Sequence, residues 1–282
     1  MTVLLRVAYD GTDFHGFARQ DGARTVQGAL EEALAGLYRQ EVRTRAASRT
    51  DAGVHALGQI VGFEPPLAIP PRGVLRALTS RLPRDVGVLA AWPCELPGGG
   101  AVDPRFYNAG KTYRYRLRCT THRVPTTDRG EWHLGKPLDV AAMQAGARAF
   151  VGEHDFAGFR ASGCQAQTTV RRMLAVEVAG VEPEEPAGLA GEATTPAVVT
   201  ITVRGEAFLQ NMVRIMVGTL VEIGLGRRPA GDVAALLAAP DRARSGVTAP
   251  PQGLTLVEVH WPEPWPPPDW QRRSRPPDAV LA

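Results

Sequence analysis

Twice along this chain the apolar pattern runs in the same order: strand, helix, two strands, helix, strand. In the first pass the strands are predicted at Val3–Tyr9, Val42–Ala47, Leu57–Phe63 and Val86–Trp92. Thr25 can cap a helix over Val26–Arg39, with Leu30, Leu34 and Leu37 on one face. Pro71 stands near the start of a second helix that ends before Pro83. In the second pass the strands are predicted at Lys111–Cys119, Thr169–Val178, Ala197–Val203 and Leu254–Trp261. The helices are predicted at Asp139–Val151 and Ala207–Gly224, with a short one at Asp232–Ala239. No sequence repeat accompanies the repeated order.

A β-α-β-β-α-β order is that of a ferredoxin-like unit. The expected fold is therefore α+β: two ferredoxin-like halves whose antiparallel sheets join around a central active-site cleft. The expected domains are 1–104 and 105–262, with Gly98-Gly99-Gly100 in the loop near their boundary. Val181–Thr195 reads as a Pro-, Gly- and Glu-rich hairpin loop, and 263–282 as a Pro-rich mobile tail.

Composition removes several function classes. No run of eighteen apolar residues exists among the 282, so no membrane-spanning helix is expected. The N-terminal Met1-Thr2-Val3-Leu4-Leu5-Arg6 lacks the pattern of a signal peptide. Cys94, Cys119 and Cys164 are odd in number and widely spaced, which fits neither a zinc site nor a disulfide framework. The six His residues have no H-x-x-x-H or H-E-x-x-H spacing, so no metal is expected. A reducing cytoplasm suits this set.

The formal charge is only +3, yet nearly all cations are Arg, with Lys only at Lys111 and Lys136. A GC-rich genome accounts for much of that bias. The distribution is more telling. Arg105, Lys111, Arg114, Arg116, Arg118, Arg123 and Arg129 lie in one strip opposed only by Asp128. Such a strip suits a polyanion partner, because the guanidinium fork matches phosphate; a solvated strand face is the plainer alternative.

Chemistry concentrates at Ser48-Arg49-Thr50-Asp51-Ala52-Gly53-Val54-His55, a short turn between two strands. Asp and Gly alone often mean only a turn. A lone carboxylate presented this way is also a candidate nucleophile that needs neither metal nor cofactor. A second signal is Arg214, at the centre of a helix that is apolar nearly all round. Glu206 and Glu222 are each eight residues away, too far to pair well along one helix. Either Arg214 meets an anion from elsewhere in the fold, with Asp51 a candidate, or it snorkels to a surface. A third signal is Lys111-Thr112-Tyr113-Arg114-Tyr115-Arg116-Leu117. Alternation puts Tyr113, Tyr115 and Leu117 on one face and Arg114, Arg116 and Arg118 on the other. Aromatics there can stack on an unpaired base or simply fill a core; the core reading is preferred for Tyr115.

Together these stretches resemble the TruA family of tRNA pseudouridine synthases. The family's R-T-D-A-G-V-H-A motif stands whole at Arg49–Ala56, its K-x-Y-x-Y motif at Lys111–Tyr115, and its A-F-L-x-x-M-V-R-x-x-V-G-T-L motif at Ala207–Leu220. Flanking signatures agree at Tyr9–Thr12, Thr25–Gln27, Gly152–Phe156 and Ala249–Leu254. The resemblance implies that Asp51 is the catalytic nucleophile and Arg214 its ion-pair partner. It implies that Tyr113 lies against the target uracil, that Arg49 stands near the flipped nucleotide, and that Leu254 packs beneath the site. It further implies a homodimer that isomerises uridine to pseudouridine at positions 38, 39 and 40 of the tRNA anticodon stem-loop, with no cofactor.

Three departures from the family pattern stand out: Phe17-Ala18, Asp103–Asn108, and Thr79-Ser80-Arg81. None is expected to touch Asp51, Tyr113 or Arg214; all bear on tRNA contacts and site range. A non-catalytic RNA-binding protein is the main rival reading, but the aromatic RNP1 pattern is absent from the central strands. A dinucleotide-dependent oxidoreductase fails because no G-x-G-x-x-G follows the first strand.

Overall fold

The computed structural model describes residues 1–181 and 197–263, so most of the expected hairpin loop and tail lie outside the described residues. The architecture is mixed α/β with mostly antiparallel strands. Packing divides the chain into two units, Met1–Gly110 with the chain from Leu256 onward, and Lys111–Thr255.

The first unit follows the predicted order: β1 (Thr2–Tyr9), α1 (Val26–Tyr38), β2 (Thr44–Ala46), β3 (His55–Phe63), α2 (Pro71–Thr79) and β4 (Val86–Cys94). A four-residue helix, α3 (Pro104–Tyr107), follows, and β10 (Leu254–His260) joins beside β3 to give the order β4-β1-β3-β10, with β2 also on β3. β1 runs antiparallel to both neighbours, Val3 facing Phe63 and Leu4 facing Trp92. Thr25 caps α1, its hydroxyl accepting from the Gly28 amide at 3.2 Å. Leu30 and Leu34 are fully buried, while Leu37 at the helix end is only half-buried. One buried position on that helix is a carboxylate. Glu31 accepts from the Thr44 amide at 2.9 Å and hydroxyl at 3.2 Å, which ties α1 to β2.

The second unit holds β5 (Gly110–Arg118), β6 (Trp132–His133), α4 (Val140–Arg148), β7 (Gly152–Asp155), β8 (Val170–Val181), β9 (Val198–Gly205), α5 (Met212–Gly224) and α6 (Asp232–Ala238). Its strands run in the order β5-β9-β8-β7, with β6 parallel to β5. Tyr113 faces Val203 and Tyr115 faces Ile201 across β5 and β9. Tyr113, Tyr115, Leu117, Ile201 and Val203 are buried, whereas Arg114 and Arg204 are exposed. The predicted two-faced strand is present at Arg114, but Arg118 on its basic face is buried.

α5 starts at Met212 rather than at Ala207, because Asn211 turns into the left-handed region at φ 60. Residues 207–211 instead form a loop, in which the Ala161 amide donates to the Gln210 carbonyl at 3.1 Å. Among the described residues, no helix is long and apolar enough to cross a membrane. Cys94 and Cys119 are buried free thiols, and burial pushes each up to about 11.

Candidate active site

Asp51 stands half-exposed on the connection between β2 and β3, with Arg49 exposed two residues before it. The backbone around it is held at nearly every residue. Gln59, fully buried on β3, donates through Nε2 to the Ser48 carbonyl at 2.7 Å and accepts from the Ser48 amide at 3.2 Å. The hydroxyls of Tyr9 and Thr50 share a hydrogen bond of 2.7 Å. The Thr50 carbonyl accepts from the Phe17 amide at 3.0 Å, and the Phe14 carbonyl accepts from Gly53 at 3.3 Å. The turn closes on itself as the Val54 amide donates to the Asp51 carbonyl at 3.2 Å. Gly53 sits at φ 76, where an L side chain would be strained.

A second tier holds the 11–17 loop in place. The Arg24 guanidinium lies 3.9 Å from the centre of the Phe14 ring. It also grips Asp85 through both nitrogens, each at 2.9 Å. The hydrogen bond to Asp85 is the main reason its pKa is raised further. The bracing fixes where the Asp51 backbone sits.

Phe17 proves closer to this turn than expected. Its amide bonds to the residue before Asp51, and its ring packs on Tyr9 at 6.2 Å. The other departures have local structural roles. Asp103 caps α3 by accepting from the Arg105 amide at 2.9 Å, and Ser80 bonds back to the Ala77 carbonyl at 3.0 Å.

In the second unit, Arg214 lies in the first turn of α5 and is half-buried. Its Nε donates to the Ala249 carbonyl at 2.7 Å, and one terminal nitrogen donates to Asn211 Oδ1 at 2.8 Å. The Ala249 amide donates back to the Arg214 carbonyl at 3.1 Å, so the 249 segment and the helix grip each other. Glu222 is engaged by Arg228 at 2.8 Å, consistent with its distance from Arg214 in the sequence.

Tyr113 is 6% exposed and meets the edge of Phe208 at 5.0 Å between ring centres. Tyr115 is fully buried and donates to the Pro250 carbonyl at 2.7 Å. Burial drives its phenol far above the ordinary range, against a smaller opposing pull from Arg214, so it is a permanent donor. Leu254, 5% exposed, opens β10 directly after a 3-10 turn over Pro251–Gly253. Asp51 and Arg49 thus share one braced turn of the first unit, while Tyr113, Arg214 and Leu254 belong to the second.

The basic strip is less bare than its sequence reads. Glu131, just beyond it, takes Arg116 at 2.7 Å and Arg118 at 2.6 Å, and Asp128 takes Arg123 at 2.6 Å. Burial pushes Glu131 upward, but the hydrogen bonds from Arg118, Arg116 and Thr127 together hold it below the usual carboxylate range. Asn211 and Gln59 were not singled out by their residue type; each lies inside or beside a motif but has no chemistry of its own. Among the described residues, no cluster of three or more His, Cys, Asp or Glu forms a candidate metal site.

The protein thus combines a mixed α/β fold of mostly antiparallel strands with an anchored Asp turn and a braced helical Arg. A family described as tRNA pseudouridine synthase matches residues 6–97 and 147–262. The tRNA pseudouridine synthase A of Geotalea uraniireducens is 42% identical over 259 residues, covering 92% of this chain and 99% of the relative. That of Geobacter sulfurreducens is 42% identical over 260 residues, covering 92% and 99%. That of Myxococcus xanthus is 42% identical over 259 residues, covering 91% of each. The chain belongs to the tRNA pseudouridine synthase family and is an isomerase of that class.

Proposed function

We propose that this protein converts uridine to pseudouridine at positions 38, 39 and 40 of the tRNA anticodon stem-loop, with Asp51 as the nucleophile. The observation that carries this reading is the Asp51 turn itself. A half-exposed carboxylate stands on backbone held at Ser48, Thr50, Gly53 and Val54. Fixing a reacting group before substrate arrives removes an entropic cost from the chemical step.

The target uridine leaves the base stack so that its glycosidic bond can be reached. Three routes are open to the carboxylate: attack at C1′, attack at C6, or removal of the C2′ proton. Each breaks the N1–C1′ bond, after which the uracil turns and rejoins through C5, and the C5 proton is lost. Product and substrate are isomers, so the balance needs no redox cofactor or nucleotide.

In this reading Arg214 pairs with Asp51 and keeps it ionised and aimed. Its anchors at Ala249 and Asn211 support that role, since they hold the guanidinium in one orientation. Tyr113 lies against the uracil, Arg49 stands near the flipped nucleotide, and Leu254 packs beneath. In this reading two ferredoxin-like halves, domains 1–104 and 105–262, join their sheets around the cleft. The enzyme works in the cytoplasm as a homodimer with tRNA across both subunits. Sedimentation at micromolar concentration tests the dimer: a species of twice 30.3 kDa is expected, and monomer alone contradicts it.

Position mapping tests the substrate. An unmodified tRNA with uridine at 38, 39 and 40 is incubated with the protein, and pseudouridine is located by carbodiimide labelling and primer extension. Product at those positions is expected. Product confined to other positions would overturn the assignment.

A further inference from the structure

A cavity of about 270 Å³ in the second unit is lined by Arg123, Asp128, Glu131, Trp132, His133 and Gln252. All but Gln252 fall between the two stretches matched by the family, 6–97 and 147–262. We infer that this cavity is a second nucleotide subsite, which takes one unpaired base of the tRNA beside Trp132 with the neighbouring phosphate at Arg123. The inference rests on tRNA being the substrate.

Four features point to a base. The volume lies just under the range of about 300–1,000 Å³ typical of drug-sized ligands, which suits a single heterocycle. Trp132 supplies an aromatic wall, and bases stack on aromatics regardless of sequence. His133 donates through Nε2 to the Thr120 carbonyl at 2.9 Å, which fixes the orientation of its ring at the cavity wall. Gln252 adds an amide from a separate segment of chain.

Charge at the cavity also suits a polyanion. Its two carboxylates are matched by three cations: Arg116 and Arg118 hold Glu131, and Arg123 holds Asp128. The Arg123 side chain is 69% exposed. An exposed pair of this kind is weak, so a phosphate can take Asp128's place at little cost.

The cavity is wired to the candidate site within the same unit. The Trp132 ring meets Tyr115 edge-on at 6.3 Å between centres, and Tyr115 holds the Pro250 carbonyl. Ala249, next to Pro250, holds Arg214. The segment 249–252 therefore runs from the Arg214 anchor to the cavity wall.

The test is a cycle between protein and RNA. Trp132→Ala, Trp132→Phe and Gln252→Ala are compared with wild type for tRNA Kd by filter binding and for single-turnover rate at saturating enzyme. The RNAs are intact tRNA and tRNAs carrying one abasic nucleotide at each unpaired position in turn. Trp132→Ala is expected to raise Kd about tenfold, the effect of losing one base–aromatic stack. Trp132→Phe, which keeps an aromatic at the cavity wall, should recover most of that loss with a saturated rate near wild type, and Gln252→Ala should weaken binding in the same direction. One abasic position should cost wild type about tenfold and cost Trp132→Ala nothing further. The subsite is overturned if Kd is unchanged in both alanine variants. It is equally overturned if every abasic tRNA loses the same factor against wild type and Trp132→Ala, or if only the saturated rate falls. A wrong assignment of Asp51 would leave these Kd values untouched, so the two failures are separable.

Discussion

Gly218 of α5 lies directly beneath the carbonyl of Val247: a Cβ at Gly218 would stand 1.8 Å from that oxygen. The neighbouring Gly246 amide donates to Thr219 Oγ1 at 2.9 Å, so the 246–250 segment is laid flat along the helix. That contact sets where Ala249 presents its carbonyl to Arg214.

Gly218→Ala is therefore expected to push the segment off the helix. Overpacking of this kind costs roughly 1–3 kcal/mol, and more where the obstacle is backbone. The check is denaturant unfolding together with single-turnover rate. Stability and rate should fall together, because the displaced carbonyl no longer fixes Arg214.

Arg214→Met keeps an unbranched stem and removes the charge and the guanidinium donors. Turnover is expected to fall by at least a hundredfold while tRNA Kd changes by less than tenfold, as for loss of one group that orients a nucleophile. Asn211→Asp tests the anchor separately. A carboxylate 2.8 Å from Arg214 would compete with Asp51 for the same guanidinium, so the rate should drop without loss of fold. Near-wild-type turnover in either variant would contradict the pairing.

Glu131 makes stability depend on pH. Its carboxyl is held below the ordinary range in the folded protein, so it binds its proton less readily than in the unfolded chain. The stabilisation is complete above the unfolded value of about 4.3 and is lost as pH falls through the lower, folded value. Glu131→Ala breaks a buried ion pair, removing the carboxylate that both Arg116 and Arg118 grip. The expected cost is about 3–5 kcal/mol near neutral pH. That gap between variant and wild type should narrow on acidification, measured by urea unfolding across the acid range.

Much of this was legible in the sequence, and the limits have physical causes. Strong apolar alternation placed β1, β3, β4, β5 and β9 to within a few residues. Thr25 marked a helix start because its side-chain oxygen accepts an orphan amide, from Gly28. β7, Gly-Glu-His-Asp, has no apolar pattern at all; it is a strand because its backbone pairs with β8. The start of α5 was missed because Asn211 reverses the local backbone, and residue type alone does not announce a left-handed turn. Asp51, Tyr113 and Arg214 were marked by motif. Of the groups that hold the site, Gln59 and the Ala249 carbonyl act through pairings 11 and 35 residues away, while Asn211 meets Arg214 three residues on only because of its left-handed turn. Glu31 and Glu131 are likewise buried against partners 13 to 15 residues away.

The most direct measurement is pseudouridine formation by Asp51→Ala under single-turnover conditions, with tRNA binding measured in parallel. The variant removes one half-exposed carboxylate from a turn held by its neighbours' backbone, so fold and Kd should be retained. No product at any enzyme excess, with tRNA bound as tightly as by wild type, is the predicted result. Product at a rate near wild type would show that the carboxylate on this turn is not the nucleophile.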